Sequence, residues 1–175
     1  MQDQHTLLAK AYNMIVTNNY LCLATSDTHG KPWVAALYYA YDKDCSFYFF
    51  SAKESRHAQQ IGENTRVAFA IYDSTLKPED ADGLQVDATA NQVSLTGIPH
   101  AIATYYKRRF PNDSERAKHE HVPMDFHGIA LRRFYKLTPQ HVYILDPNFS
   151  QVDQRVELDL EQLRGLIGND DQTST

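Results

Sequence analysis

The chain of 175 residues is poor in sulfur, with two cysteines and three methionines. Cys22 and Cys45 lie in apolar or aromatic surroundings without paired spacing, which excludes a disulfide framework or a cysteine-based zinc site and makes a reducing cytoplasm the expected location. No stretch approaches the ~18 apolar residues of a membrane span. The longest apolar runs, Trp33 to Tyr41 and Phe47 to Phe50, are strand-sized. The opening MQDQHTLLAKAYNMIV has no basic segment followed by an apolar block, so no signal peptide is expected. A basic excess is also missing: 17 Lys+Arg stand against 22 Asp+Glu, a net charge of −5. That balance argues against a general nucleic-acid binder and leaves room for a local anion site. Neither an internal repeat nor a low-complexity segment occurs, and the length fits one domain of about 100–200 residues.

Aromatic residues are what the chain has in quantity, 11 Tyr and 8 Phe. Leu7, Leu8, Ala11, Met14 and Ile15 recur at helical spacing and predict an amphipathic helix over 5–18. YLCLATSD then alternates as a strand, and Asp27-Thr28-His29-Gly30 reads as a turn. Residues 33–41 and 46–51 predict two more strands around the polar turn 42–44, together a three-stranded meander. Further strands are expected over 66–73, 83–96, 128–137 and 141–146, the last two separated by Thr138-Pro139. Short helices are expected over 51–62, 99–110 and near 158–167, with 111–127 a loop or broken helix. The pattern predicts a small, mainly β antiparallel barrel with short α additions.

The segment Ser51-Ala52-Lys53-Glu54-Ser55-Arg56-His57 joins an aromatic strand to a helix. Ser51 and Glu54 have the spacing of a capping box. Free N–H groups at a helix start, two hydroxyls and cationic side chains within one turn are the chemistry a phosphate needs. Lys107-Arg108-Arg109 is a second basic cluster, either a solvated helix face or a contact to an anionic ligand. His119-Glu120-His121, with Asp125 and His127, forms the only candidate metal cluster; exposed loop histidines are commoner than ligands, and no metal is expected. No general acid or base stands out, so catalytic residues are left unassigned.

Read with its flanks, FYFFSAKESRHAQQIGENTRVAFAI resembles the strand–phosphate loop–helix–strand signature of the pyridoxamine 5′-phosphate oxidase-like, FMN-binding split-barrel superfamily. GLQVDATANQV and FYKLTPQHVYILD resemble two later segments of the same family, in the same order. ESRHAQQ, YYKRRFP and LDPNFS look most like a small bacterial subgroup without an assigned reaction. The resemblance covers roughly residues 5–150, and residues 151–175 read as a C-terminal extension with a short helix and a flexible tail.

The resemblance implies a six-stranded antiparallel split β-barrel that forms a homodimer, with FMN in each of two clefts between subunits. It implies phosphate contacts from Ser51, Ser55, Arg56 and His57, with Lys53 adding charge, and a ring contact from Gln85. Ala35, Ala36 and Leu37 lie on the strand expected to pass the ring through its backbone. The implied activity is that of a flavin-dependent oxidoreductase acting on a small-molecule redox substrate or electron donor. VAALYYA (34–40) lacks the Arg and Lys of true pyridoxamine phosphate oxidases, His57 stands where a Lys is usual, and no Arg-x-His follows in 146–175. These departures argue against that specific activity. Three alternatives stay open: a haem-binding or haem-degrading barrel using a loop histidine, a deazaflavin-dependent reductase, and a non-catalytic flavin-binding protein.

Overall fold

A computed structural model describes residues 4–77, 82–119, 121–145 and 154–173. Helix α1 (Gln4–Thr17) buries Leu7, Leu8, Ala11 and Ile15 along one face, the stripe its periodicity predicts. Strand β1 (Tyr20–Ser26) sends Leu21 and Leu23 inward and leaves Tyr20 exposed on the other face. The turn after it is built by Asp27, whose Oδ1 accepts from the N–H groups of His29 and Lys31, each at 2.9 Å. Gly30 supplies the φ of +79° that the turn requires.

The expected single strand 33–41 is divided. Strand β2 (Pro32–Tyr38) pairs with β1, and β3 (Ala40–Tyr41) pairs instead with β4 (Phe47–Ala52). Between them Tyr39 is fully buried; its N–H donates to Asn19 O and its hydroxyl to Ile15 O at 2.8 Å. The remaining sheet strands are β5 (Arg66–Tyr72), β6 (Gly83–Gln92) and β7 (Arg132–Leu145), and the sheet order is β2-β1-β5-β6-β7-β4-β3. One passing segment, 32–41, therefore belongs to both ends of the sheet and curls it into a split barrel. The expected meander ends at β2, because β4 lies across the barrel from it.

Thr138-Pro139 does not separate two strands. β7 runs through both residues for 14 residues. Asp87 opposes His141 while Ala88 opposes Pro139, so Gln140 is the extra residue of a bulge. A bulge is where a strand tolerates a proline that cannot donate to the ladder. β8 (Arg155–Glu157) pairs with β7. Among the described residues the strands form eight segments rather than six, and the fold is the expected mainly antiparallel split barrel with short helices.

Helix α2 (Arg56–Glu63) lies against β1, β2 and β6, and helix α5 (Leu160–Thr173) packs beside α1. Leu158, Leu163 and Ile167 join the barrel core with Leu8, Ile15 and Phe47. A second core gathers beneath helix α3 (Ile98–Arg109): Ile98, Ala101, Tyr105 and Tyr106 meet Tyr48, Phe126 and Phe134. β6 stops four residues short of the expected 96, and residues 94–97 turn the chain into α3 instead. The segment 111–127 breaks into α4 (Asp113–Arg116), capped by Asn112, and two short 3-10 turns. Residues 78–81, Glu120, most of LDPNFS and the last two residues lie outside the described residues.

Candidate functional site

The strand-to-helix joint at β4 and α2 differs from the expected capping box. Ser51 and Ala52 stay in β4, a turn closes from Ser55 N to Ala52 O at 3.0 Å, and the N-cap is Ser55. Ser55 makes no side-chain cap, so the first-turn N–H groups of α2 have no side-chain partner there. The hydroxyls of Ser51 and Ser55 both face His57 Nε2, at 2.8 and 3.1 Å. His57 is 8% exposed, and burial holds its imidazole below the usual value, which keeps it neutral. Positive charge at this joint therefore rests with Arg56 and Lys53. Arg56 lies over the Trp33 ring at 4.7 Å and reaches Pro32 O at 3.5 Å. The Lys53 backbone N–H is held by Leu131 O at 2.9 Å.

A second feature occupies the outer face of the sheet. Strand pleating puts alternate residues on that face, and the registers set Ala36 beside Cys22, Cys22 beside Ala70, and Ala70 beside Gln85. The next row runs Val34, Ala24, Ala68, Asp87 and His141. Because β1 and β5 contribute only small side chains here, the face is hollow. Cys22, Ala68, Gln85 and Tyr143 line a groove of about 500 Å³. A hollow of about 710 Å³ adjoins it at Ala24, Ala68 and Asp87 and extends to Arg66 and His141.

Polar groups close one end of the groove. Gln85 Oε1 accepts from Arg155 Nε at 3.0 Å. His141 Nδ1 lies 2.7 Å from Glu157 Oε1, and this bond raises the imidazole above its usual value. The Tyr143 phenol is also pushed up, by desolvation first and then by Glu157 and Asp87. Arg155, Asp87, His141 and Tyr143 were not expected from the sequence; the small pairs Cys22/Ala24 and Ala68/Ala70, spaced by two, were the available signal. Ala36 shares the groove face, whereas Ala35 and Leu37 fall on the opposite face, Leu37 packed against the main core. No hydrogen bond among the described residues joins Gln85 to the Ser51–His57 cluster, so one subunit presents two separate patches.

The other clusters have structural work. Arg108 Nη2 donates to the carbonyls of Ile15, Val16 and Asn18, and the guanidinium lies 4.9 and 4.6 Å from the Tyr39 and Tyr41 rings. Arg109 lies over Tyr38 at 5.7 Å and donates to the Tyr105 hydroxyl. Arg108 is thus committed to the end of α1, while Lys107 and Arg109 stay exposed on the helix face. His119 stacks on Phe110 at 4.2 Å, and His121 Nδ1 meets Asp125 Oδ2 at 3.1 Å. Among the described residues no group of three or more His, Cys, Asp or Glu is arranged to hold a metal.

An antiparallel split barrel with short helices defines a class, and comparison with known proteins places the chain within it. The chain belongs to the pyridoxamine 5′-phosphate oxidase family, whose pattern matches residues 8–146. A UPF0306 protein of Pasteurella multocida is 26% identical over 91 residues, which cover 51% of this chain and 61% of that protein. The match thus spans about three fifths of that relative's length. A protein of unknown function from Agrobacterium tumefaciens is similar with a TM-score of 0.64 and 22% identity, over 86% of this chain and 60% of that one. HutZ, the haem storage protein of Vibrio cholerae, gives 0.61 and 18% over 78% and 92%. A haem-binding protein of Mycobacterium smegmatis gives 0.66 and 14% over 90% and 60%. At these identities the structural likenesses concern the fold alone. No helix among the described residues is long and apolar enough to cross a membrane.

Proposed function

We propose that the chain is an FMN-binding oxidoreductase subunit that works as a homodimer, with the ring against the outer sheet face and the phosphate at the start of α2. The observation that carries this reading is the groove: Cys22, Ala24, Ala68 and Ala70 make a floor with little side-chain relief, closed by Gln85 and Tyr143. A flat ring with one polar edge fits such a floor. A bound flavin would supply the two-electron redox chemistry.

The residues present suit that group. The uncapped first turn of α2 offers N–H donors and the positive end of a helix dipole to a phosphate. Arg56 adds a fork, held over Trp33 at the edge of β2. His57 holds the Ser51 and Ser55 hydroxyls by its ring nitrogen instead of adding charge. The groove is open to solvent on its outer side, and Val34 remains 60% exposed beside it. A second copy of the chain covers that side, which also allows the two patches to come from different subunits. His119 and His121 are engaged by Phe110 and Asp125, and neither they nor His127 line the groove, so haem ligation there has no support from them.

Absorbance spectra of purified protein with and without added FMN, with light scattering, test the reading. A flavin double band at one FMN per subunit in a dimer is expected. Arg56→Ala should weaken FMN binding by about 1.5–3 kcal/mol, tenfold or more, as for a lost hydrogen bond to a charged group. A colourless protein that ignores FMN, or a haem Soret band in its place, refutes it.

A further inference from the structure

Gln85 and Arg155 meet across 70 residues of sequence, and the chemistry of the pair decides what the groove offers a ligand. A glutamine side chain ends in an acceptor oxygen and a donor NH₂, and either can face outward. A guanidinium carries only N–H donors, so the Gln85 atom 3.0 Å from Arg155 Nε is the oxygen. With its oxygen engaged, Gln85 has the Nε2 hydrogens left for the groove it lines, and they have no partner among the described residues. At Gln85 the groove thus presents donors, with the Asp87 carboxylate and the Tyr143 hydroxyl lining it nearby. A ligand atom lying against the Gln85 amide must accept: a carbonyl oxygen, or a ring nitrogen with a free lone pair.

Charge sharpens this. Arg155 Nη1 is buried without a hydrogen-bond partner, and no described carboxylate pairs with the guanidinium. Glu157, on the same strand, is held by His141, and Asp87 lies one row further along the face. A cation with no carboxylate partner among the described residues, placed on the Gln85 oxygen, polarises the amide and strengthens its N–H donors. Such donors hold an acceptor more tightly as negative charge grows on it.

We propose that Arg155 is a positioning residue of the flavin site: it locks Gln85 as a pure donor against the ring's acceptor edge and biases the bound ring toward its reduced state. This rests on the FMN reading above. In a reductive titration dithionite delivers two electrons and water one proton, leaving one negative charge on the bound ring, and that charge is what the Arg155–Gln85 pair stabilises.

The test uses full-length dimer carrying Arg155→Met or Gln85→Glu, with dithionite titration, FMN binding and side-chain amide NMR. Arg155→Met should lose about tenfold in the preference for reduced over oxidised FMN, a midpoint lower by about 30 mV for a two-electron couple. Gln85→Glu pairs with Arg155 and removes the donors, so its melting temperature should not fall while FMN affinity drops tenfold or more. It also carries the test should Arg155→Met fail to fold. An unchanged midpoint in Arg155→Met, or wild-type FMN affinity in Gln85→Glu, overturns the proposal. A wild-type protein that ignores FMN refutes the flavin reading itself. The Gln85 amide protons of the FMN-free protein then decide the pair separately: a shift in Arg155→Met upholds Gln85 as a locked donor, and no shift overturns it.

Discussion

Replacing Arg108 with Met removes a charge from a place where backbone carbonyls converge. Helix α1 ends with carbonyls that have no intrahelical donor, and Arg108 Nη2 meets those of Ile15, Val16 and Asn18. A hydrogen bond to a charged group contributes about 1.5–3 kcal/mol, and a cation at a partly buried helix C-terminus up to about 2 kcal/mol. These two figures describe one contact and are not added. The guanidinium also rests on the Tyr39 and Tyr41 rings, which contributes about 0.5–2 kcal/mol more. Against this stands the buried Nε without a partner, whose desolvation Met avoids. Met preserves the apolar stem, so the expected net loss is about 3 kcal/mol, with Arg108→Lys recovering part of it. Equilibrium urea unfolding of the FMN-free protein measures this, and thermal melting should fall by about 6–12 °C for a chain of this size. A loss below about 1 kcal/mol in Arg108→Met refutes the assignment of Arg108 as the clamp on α1.

Two histidines should titrate on opposite sides of the usual value of 6.5. Burial lowers His57, so its contribution to stability is complete above 6.5 and is lost as the pH falls through the folded value; His57→Gln removes that acid-side loss. The Glu157 bond raises His141, so its contribution is complete below 6.5 and is lost as the pH rises through the folded value; His141→Gln removes that loss. NMR titration of the ring protons checks both, and coincident midpoints contradict the two environments. Ala70→Arg places a charge in the middle of the small-residue face without touching the core; sedimentation should show monomer with stability within about 0.5 kcal/mol of wild type. A stable dimer in that variant moves the subunit contact away from the groove.

What the sequence makes legible is what sits close together along it. Ser51, Ser55 and His57 lie within seven residues, and the meeting of their side chains follows from a strand running into a helix. The inward turn of His57 does not, because it depends on which face of α2 meets β1 and β6. The Gln85–Arg155 bond joins β6 to a three-residue strand that exists only by pairing with β7, and local pattern carries no trace of it. Pro139 reads as a break because a proline ends most strands; the bulge that accommodates it is a property of two strands together. Arg108 reads as one of three exposed charges until the end of α1 is brought beside it.

The joint at Tyr39 has a consequence for how the protein comes apart. Its hydroxyl holds the end of α1, its backbone holds the start of β1, its flanks belong to the two ends of the sheet, and the Arg108 guanidinium from α3 lies over its ring. An opening that frees any one of these elements must release the same side chain. Local fluctuation there is therefore costly, and amide protons in α1, in 32–41 and in α3 should exchange with solvent together, as one cooperative unit set by global unfolding rather than by fraying.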